Sequence, residues 1–423
     1  MKDMGAVGDG TADDTTAIQS AIDLCAKSGG GVVVVDEGNY KIGTIFLKSN
    51  VTIELGQNGK ISAQTDRKYY AEATYKQLYK DEQHMDLCLF YAEQCKNICI
   101  KGQGIIDGRG EEFSEFRPMM FRYLECENIT LEQIHLEAPA SWTNAFIGCT
   151  NIKVDKVDIH SRANKNGDGL DFDGCNKVFV SNCNFDCSDD CICLQNSYTD
   201  KKCRNIVIEN CVMSSQWAGI RIGLLSCGVI ENLTLTNCIF ENINCSAIKI
   251  QSAEGAEVRQ MVFHNLIMNN VQRPIFMTAN RHRERVDLEE EIRTASCIRD
   301  ILFSHIIINN IEKNKEMYEL EEPCCIVLDS LEDDVIERVR ISDVIMHVWG
   351  DKECKWESDK IPTQRNQRAE GRNYKGTLLQ KEYLQEYFRK NIRLLCRRQH
   401  YRCCITDLFR LMISERHDTF KGR

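Results

Sequence analysis

The chain has 423 residues, 43% of them hydrophobic, and a formal net charge of -10. This length and apolar content suffice for a large core, and the acidic balance argues against a nucleic-acid-binding protein, which normally carries a basic surface for phosphates. No apolar run in the sequence approaches the roughly 18 residues of a transmembrane helix, so no membrane partner is predicted.

Cysteine is frequent, with 23 residues in the chain. Disulfide-rich scaffolds are small secreted chains, whereas this chain is large and opens with Met1-Lys-Asp-Met-Gly, which is not an apolar signal segment. We therefore expect free, mostly buried thiols and a cytoplasmic protein.

The first predicted element is a helix over residues 13–28. Apolar residues recur there at helical spacing, acidic and hydroxyl residues stand at its start, and Gly29 to Gly31 end it. The glycines follow a helix instead of opening one, so they do not form a phosphate-binding loop. The helix is expected to cap the open end of the fold that follows.

Short runs of β-branched residues recur every two to three dozen positions and are followed by polar residues. The Asn residues after four of these runs, Asn182, Asn210, Asn237 and Asn265, are 28, 27 and 28 residues apart. One such unit cannot bury its own apolar face, but stacked units can. The pattern predicts an all-β chain, a parallel β-solenoid (β-helix) of at least eight coils, in which Asn side chains hydrogen-bond from coil to coil.

Cysteines recur in the same register, at Cys183, Cys211 and Cys238. Equivalent positions on stacked coils lie about 4.8 Å apart, and thiols behave as small hydrophobes, so we interpret them as an inward core column and not as metal ligands. Cys187 and Cys191 have no partnering Cys or His pair nearby, so no zinc site is predicted.

Residues 166–171 and 187–191 bring three carboxylates together, those of Asp168, Asp189 and Asp190. Asp168 and Asp189 are 21 residues apart, close to one coil, so their side chains can lie on neighbouring rungs. Asp189 and Asp190 point to opposite sides of a regular strand, so both reach one cleft only at a turn. Crowding should raise at least one pKa, leaving a proton on one acid while another is ionised. Paired acids of this kind cleave glycosidic bonds, although Asp residues also cap turns without catalysis.

The composition changes after about residue 350. Residues 361–423 contain 15 Lys or Arg against 6 Asp or Glu, a net charge of +9. We therefore predict a β-helix domain over residues 1–350 and an atypical basic tail over residues 351–423, with weak helical periodicity from Leu378 to Cys396.

Four segments look like parts of a known family, the polygalacturonase-like glycoside hydrolases of glycoside hydrolase family 28, which degrade pectin. They are the opening segment 3–14, the Ile45–Ile53 run like the family's first long strand, the Gly-x-Ile-Asp-Gly-x-Gly turn at 104–110, and Ala138-Pro-Ala-Ser-Trp142. The resemblance covers roughly residues 3–350 and implies a single-stranded, right-handed parallel β-helix. The opening segment also occurs in β-helix lyases, so it is more specific for the fold than for the reaction.

The acid motifs are similar to the family's Asn-x-Asp-Gly and Asp-Asp motifs. By this resemblance, Asp189 would be the general acid, and Asp168 and Asp190 would hold the water that attacks from the opposite face of the sugar. Asn166 belongs to the first motif and is assigned to substrate binding.

Two departures from the family pattern concern substrate binding. Gln216-Trp217-Ala-Gly-Ile-Arg221 occupies the coil of the family's Gly-His-Gly, with Trp217 in the place of the histidine, and Lys249 and Gln251 stand where Arg-Ile-Lys is expected. Trp217 either stacks on a sugar ring or packs into the solenoid wall. Arg221 is a candidate for the missing cation, because Lys249 lacks the bidentate fork of an arginine and Gln251 is uncharged.

These predictions combine into one functional expectation. The chain is expected to be an enzyme that hydrolyses pectin-type oligosaccharides, derived from galacturonan or rhamnogalacturonan, with inversion, and without a metal or cofactor. One alternative is a β-helix polysaccharide lyase, which needs a Lys or Arg base and usually calcium. Another is a catalytically weakened carbohydrate-binding relative.

Overall fold

The computed structural model describes residues 1–72, 74, 87–114, 116–279, 295–310, 326–330, 334–348 and 392–394. These residues form one α-helix, α1 (Thr15–Lys27), a single 28-stranded sheet, and 3₁₀ helices at Lys2–Met4, Arg67–Tyr69 and Gly110–Glu112. None of the helices within these ranges is long and apolar enough to cross a membrane.

The strands of the first half are β1 (Asp9–Asp13), β2 (Gly31–Val35), β3 (Gly38–Ile42), β4 (Ile45–Phe46), β5 (Val51–Leu55), β6 (Gly59–Ala63), β7 (Cys88–Glu93), β8 (Lys96–Gly102), β9 (Ile105–Asp107), β10 (Met119–Leu124), β11 (Glu127–Glu132), β12 (His135–Glu137), β13 (Asn144–Ile147) and β14 (Thr150–Asp155). Those of the second half are β15 (Asp158–Ser161), β16 (Leu170–Asp173), β17 (Asn176–Ser181), β18 (Asn184–Cys187), β19 (Ile192–Asn196), β20 (Cys203–Glu209), β21 (Val212–Ser215), β22 (Ala218–Ser226), β23 (Ile230–Ser252), β24 (Glu257–Ala279), β25 (Cys297–Asn310), β26 (Ile326–Ser330), β27 (Val335–Val348) and β28 (Ile392–Leu394).

All pairings are parallel and connect each strand to its equivalent one coil later, which makes a right-handed parallel β-helix with three faces. The first face contains β7, β10, β13, β16, β19 and β22; the second contains β5, β8, β11, β14, β17 and β20; the third contains β6, β9, β12, β15, β18 and β21. From β23 onwards, single long strands run through more than one face. The predicted solenoid is therefore confirmed.

The corners of the coils explain the repeated Asn residues. Asn182, Asn210, Asn237 and Asn265 all have a positive φ of 53–57°, a conformation that Asn tolerates better than most residues. Their amides also bond along the stack: Asn210 Nδ2 donates to Asn182 Oδ1 at 3.4 Å, and Asn265 Nδ2 donates to Asn237 Oδ1 at 2.7 Å. The Asn ladder is thus observed at the predicted positions.

The core column of cysteines is also observed. Cys183, Cys211 and Cys238 are each 1% exposed and belong to the main hydrophobic core. Their thiols are free, as are those of Cys187 and Cys191, which are fully buried beside the acidic turn. These positions follow from the inward direction of alternate side chains in each strand.

Three boundaries differ from the predicted ones. The helix begins at Thr15 instead of residue 13, because Asp13 ends β1 and the Asp14 carboxylate accepts hydrogen bonds from the N–H groups of Val7 and Gly8. The single strand expected over 45–53 is wrong, since Asn50, with φ 64°, turns the chain between β4 and β5. Of the basic tail, only β28 lies among the described residues; there the chain is extended and pairs with β27, so the helical periodicity is not realised at these three residues.

An interior stack of aromatic rings provides a test of the packing. Phe146 is fully buried, with ring centroids 4.8 Å from Tyr123 and 5.0 Å from Phe172. We expect Phe146→Ala to lower the free energy of unfolding by about 3–5 kcal/mol, because it removes buried contacts and leaves a cavity. Chemical denaturation measures this, with the 43% exposed Phe179→Ala as the control. Equal losses in the two variants would contradict this packing.

Candidate active site

The predicted acids lie at the corner where the third face turns into the first. Asp168 stands between β15 and β16, and Asp189 and Asp190 occupy the bend between β18 and β19, one coil later. Main-chain hydrogen bonds hold each of the two turns in register with the preceding coil. Thr143 N–H donates to the Asp168 carbonyl at 2.8 Å, and Gly169 N–H donates to the Asp190 carbonyl at 2.9 Å. The bend frees both adjacent Asp residues from strand alternation, so both carboxylates join one cluster with Asp168.

Side-chain hydrogen bonds connect the two turns. The Ser188 hydroxyl accepts from Gly167 N–H at 3.0 Å and donates to a main-chain carbonyl of the first turn. Asn166 Nδ2 donates to Asp189 Oδ2 at 3.3 Å, and Arg117 Nη2 donates to Asn166 Oδ1 at 3.0 Å. Asn166 therefore orients the Asp189 carboxylate in addition to its predicted place in the binding site.

The three carboxylates form one cluster. One oxygen from each of Asp168, Asp189 and Asp190 lies within 4.8 Å of the others. Asp168 is 4% exposed and Asp190 2%, whereas Asp189 is half-buried. Asp189 is thus the member of the cluster most accessible from the cleft. Three carboxylate oxygens at this separation also have the chemistry of a divalent-cation site, which makes metal dependence a point to test.

Burial and mutual repulsion keep protons in this cluster. The pKa of Asp168 is raised well above its usual value, first by burial and then by the neighbouring charges of Asp189, Asp171 and Asp190, while Arg221 opposes the rise. A raised pKa means that the folded protein binds a proton more tightly than the unfolded chain does. At mildly acidic pH, the cluster therefore holds at least one proton that can be donated to a leaving group.

Arg221 makes an ion pair within the site. Its Nη1 lies 3.4 Å from Asp190 Oδ2, with both side chains at most 4% exposed, and its Nη2 donates to Gln251 Oε1 at 3.2 Å. The sequence assigned both Arg221 and Gln251 to substrate binding. The structure brings them to the predicted site, but it directs the guanidinium at the Asp190 carboxylate, so Arg221 stabilises the ionised form of that acid.

Lys249 and Trp217 lie together beside this pair. Lys249 Nζ is 4.5 Å from the centroid of the Trp217 ring, close enough for a cation–π interaction. Burial lowers the pKa of Lys249 to about 8; Arg221 also lowers it, while Asp190 and Cys245 oppose the shift. Trp217 is half-buried, which is compatible both with stacking on a sugar ring and with packing into the solenoid wall.

Sequence reasoning gave no role to two further charged groups near the acids. Asp171 is 1% exposed, neither carboxylate oxygen has a hydrogen-bond partner among the described residues, and its pKa is raised chiefly by burial. Arg273 is 4% exposed, and its guanidinium carbon lies 5.0 Å from the centroid of the Phe276 ring. Asp171 could have been predicted from the sequence, because strand alternation places it on the outward side, between inward Leu170 and Phe172. Arg273 belongs to no motif that would have indicated it.

Comparisons with known proteins identify the family of the chain. Residues 25–320 match the profile of the family described as Glycosyl hydrolases family 28. A probable polygalacturonase of Arabidopsis thaliana is 25% identical over 288 residues, 64% of this chain and 59% of the relative. An exo-poly-alpha-D-galacturonosidase of Dickeya chrysanthemi is 24% identical over 329 residues, 63% of this chain and 54% of the relative. The chain thus spans less than two thirds of the length of these relatives.

Solved structures with the same fold include two exopolygalacturonases. That of Thermotoga maritima has a TM-score of 0.68 at 21% identity and covers 82% of this chain and 86% of its own. The family 28 enzyme of Yersinia enterocolitica has a TM-score of 0.68 at 19% identity and covers 82% of this chain and 70% of its own. At these identities the likeness shows the fold, whereas the profile match extends over most of the chain and contains all three clustered acids. The chain belongs to glycosyl hydrolases family 28.

Proposed function

We propose that this protein is a glycoside hydrolase that cleaves pectin-type oligosaccharides containing uronate residues, with inversion at the anomeric carbon. The observation that carries the proposal is the cluster of Asp168, Asp189 and Asp190 at one corner of the β-helix, with mutual oxygen separations of at most 4.8 Å. The polygalacturonase names of the relatives support the substrate class.

Asp189 is assigned the role of general acid because it is the most accessible carboxyl group of the three. It protonates the glycosidic oxygen as the bond to the anomeric carbon breaks. Asp190, which is in an ion pair with Arg221, takes a proton from the water whose oxygen bonds to that carbon. Asp168, in the same cluster, hydrogen-bonds this water, passes its proton to Asp189, and takes up the proton that Asp190 has received. The cluster loses one proton and regains one in each cycle, so charge and atoms balance.

The separation of the carboxylates bears on the stereochemistry. Acid and base are usually about 6.5–9.5 Å apart in inverting enzymes and about 5–5.5 Å apart in retaining ones. One oxygen of each carboxylate lies within 4.8 Å of the others, which is shorter than the inverting range. We nevertheless favour inversion, because Asp168 and Asp190 lie deeper than the half-buried Asp189 and can hold a water between them for attack.

Lys249 is assigned to the substrate carboxylate, and Trp217 to the face of a sugar ring. Lys249 is a cation beside the acids that is not in an ion pair with any carboxylate of the described residues. Trp217 has the flat apolar surface that a pyranose ring contacts. Together they favour an acidic sugar at this position over a neutral one.

This assignment predicts a specific pH dependence. Because the pKa of Lys249 is lowered to about 8, the ammonium charge is present below this pH and is lost as the pH rises through it. We therefore expect KM for a uronate oligosaccharide to rise as the pH passes about 8. The same oligosaccharide with amidated carboxyl groups is the control, because it has no charge for Lys249 to bind. A KM that rises equally for both substrates would argue against this role.

A substrate panel tests the proposed reaction. Oligogalacturonates and rhamnogalacturonan oligosaccharides are incubated with the protein in the presence of a chelator, and new reducing ends and ultraviolet absorbance are followed together. Reducing ends without absorbance indicate hydrolysis. Absorbing unsaturated products, or dependence on calcium, would identify the lyase alternative instead. Binding without any cleavage would identify a carbohydrate-binding relative.

A further inference from the structure

The first face continues beyond Lys249 into the next coil, strand β24. Ala218 pairs with Ser246 and Ser246 pairs with Arg273, so Arg273 lies one coil further from the acids than Ser246 does. In the same register, Arg221 pairs with Lys249 and Lys249 pairs with Phe276. The Arg273 guanidinium lies over the Phe276 ring, with 5.0 Å between guanidinium carbon and ring centroid. It therefore occupies the outward side of this face, next to Lys249.

Arg273 is a buried cation without an anionic partner among the described residues. It is 4% exposed, its Nη2 is buried without a hydrogen-bond acceptor, and none of the described ion pairs involves it. Arg221, the other buried arginine of the site, is paired with Asp190. A buried unpaired guanidinium is costly, and the adjacent charge of Lys249 adds repulsion, so this pair of cations is best satisfied by an external anion.

We propose that Arg273 is a specificity-determining residue that binds a second substrate carboxylate, on the sugar adjacent to the one held by Lys249. Successive rungs are about 4.8 Å apart, close to the length of one sugar residue in a chain. Two cations on successive rungs therefore match two consecutive uronates. A chain in which uronates alternate with neutral sugars presents a carboxylate to only one of them. The inference rests on the proposed function and narrows its substrate to runs of consecutive uronates.

Binding, measured separately from turnover, tests the inference. The Asp189→Asn protein is titrated calorimetrically with trigalacturonate and with an oligosaccharide of equal length in which uronate and neutral residues alternate. Adding Arg273→Met should weaken trigalacturonate binding about 10- to 100-fold, the loss expected for charge-assisted hydrogen bonds. Affinity for the alternating oligosaccharide should stay within about twofold, because it lacks the second carboxylate. Arg273→Lys should give an intermediate loss, since it keeps the charge without the fork.

Arg259→Met is the matched control, because Arg259 lies on the same strand, β24, but on the second face, in ion pairs with Glu231 and Glu257. It should leave both affinities unchanged. Unchanged trigalacturonate binding in Arg273→Met, or an equal loss for both oligosaccharides, would overturn the inference and leave the proposed function in place. Failure of the parent Asp189→Asn protein to bind either oligosaccharide would overturn the proposed function and the inference together.

Discussion

Replacing Asp189 with Asn should reduce hydrolysis about 10²- to 10⁴-fold, the usual contribution of a positioned general acid. Asn has nearly the same size and still accepts the hydrogen bond from Asn166, but it has no proton to give to the glycosidic oxygen. The folded structure should remain, because Asp189 is half-buried and lies in a bend outside the core. Initial rates at saturating substrate measure the loss in kcat, while thermal unfolding confirms the fold.

The matched control is Asp158→Asn, which changes an exposed carboxylate on the third face. Asp158 accepts a hydrogen bond from Asn184 and contacts His135, but it lies outside the acidic cluster. Its substitution should leave kcat within about twofold of the wild type, as is usual for surface changes away from special features. An Asp189→Asn protein that keeps full activity would refute its role as the acid.

The second large effect concerns Arg221. Replacing it with Met leaves the Asp190 carboxylate buried without its ion pair, which should lower the free energy of unfolding by about 3–5 kcal/mol. Asp190 would also lose the neighbouring cation that favours its charged form, so it would be a poorer base. We therefore expect kcat, measured from initial rates at saturating substrate, to fall as well.

A double substitution separates the charge effect from lost packing. In an Asp190→Asn background, Arg221→Met removes a cation that no longer faces this carboxylate, so its further cost in unfolding free energy should be clearly smaller. Denaturant unfolding of the two single variants and the double variant measures the coupling between the residues. Additive losses would mean that the 3.4 Å contact contributes nothing to stability.

The sequence was sufficient for the fold and for the clustering of the three acids. Repeats of 27 and 28 residues specify a stack of coils, and the 21-residue step from Asp168 to Asp189 specifies neighbouring rungs. The turn at Asp189 and Asp190 also followed, because both acids reach one cleft only outside a regular strand. These features follow from the periodicity of the chain, which can be read directly from the amino-acid sequence.

The pairing of charges in the site was harder to predict from the sequence. Strand alternation places Arg221 on the cleft side but does not say whether its guanidinium meets a substrate or Asp190, since that depends on side-chain rotamers. Arg273 was missed because it matches no motif. The register was nevertheless available: Lys249 pairs with Phe276, and the same step from Ser246 leads to Arg273.

Cleavage in water enriched in oxygen-18 tests the central claim most directly. An oligogalacturonate is digested by wild type and by Asp189→Asn, and the products are reduced at once with borohydride to prevent exchange at the new reducing ends. We predict that mass spectrometry finds the heavy oxygen at the new ends formed by wild type and almost no cleavage by Asp189→Asn. Unlabelled products with an unsaturated end, or undiminished cleavage by the variant, would contradict hydrolysis at this acidic cluster.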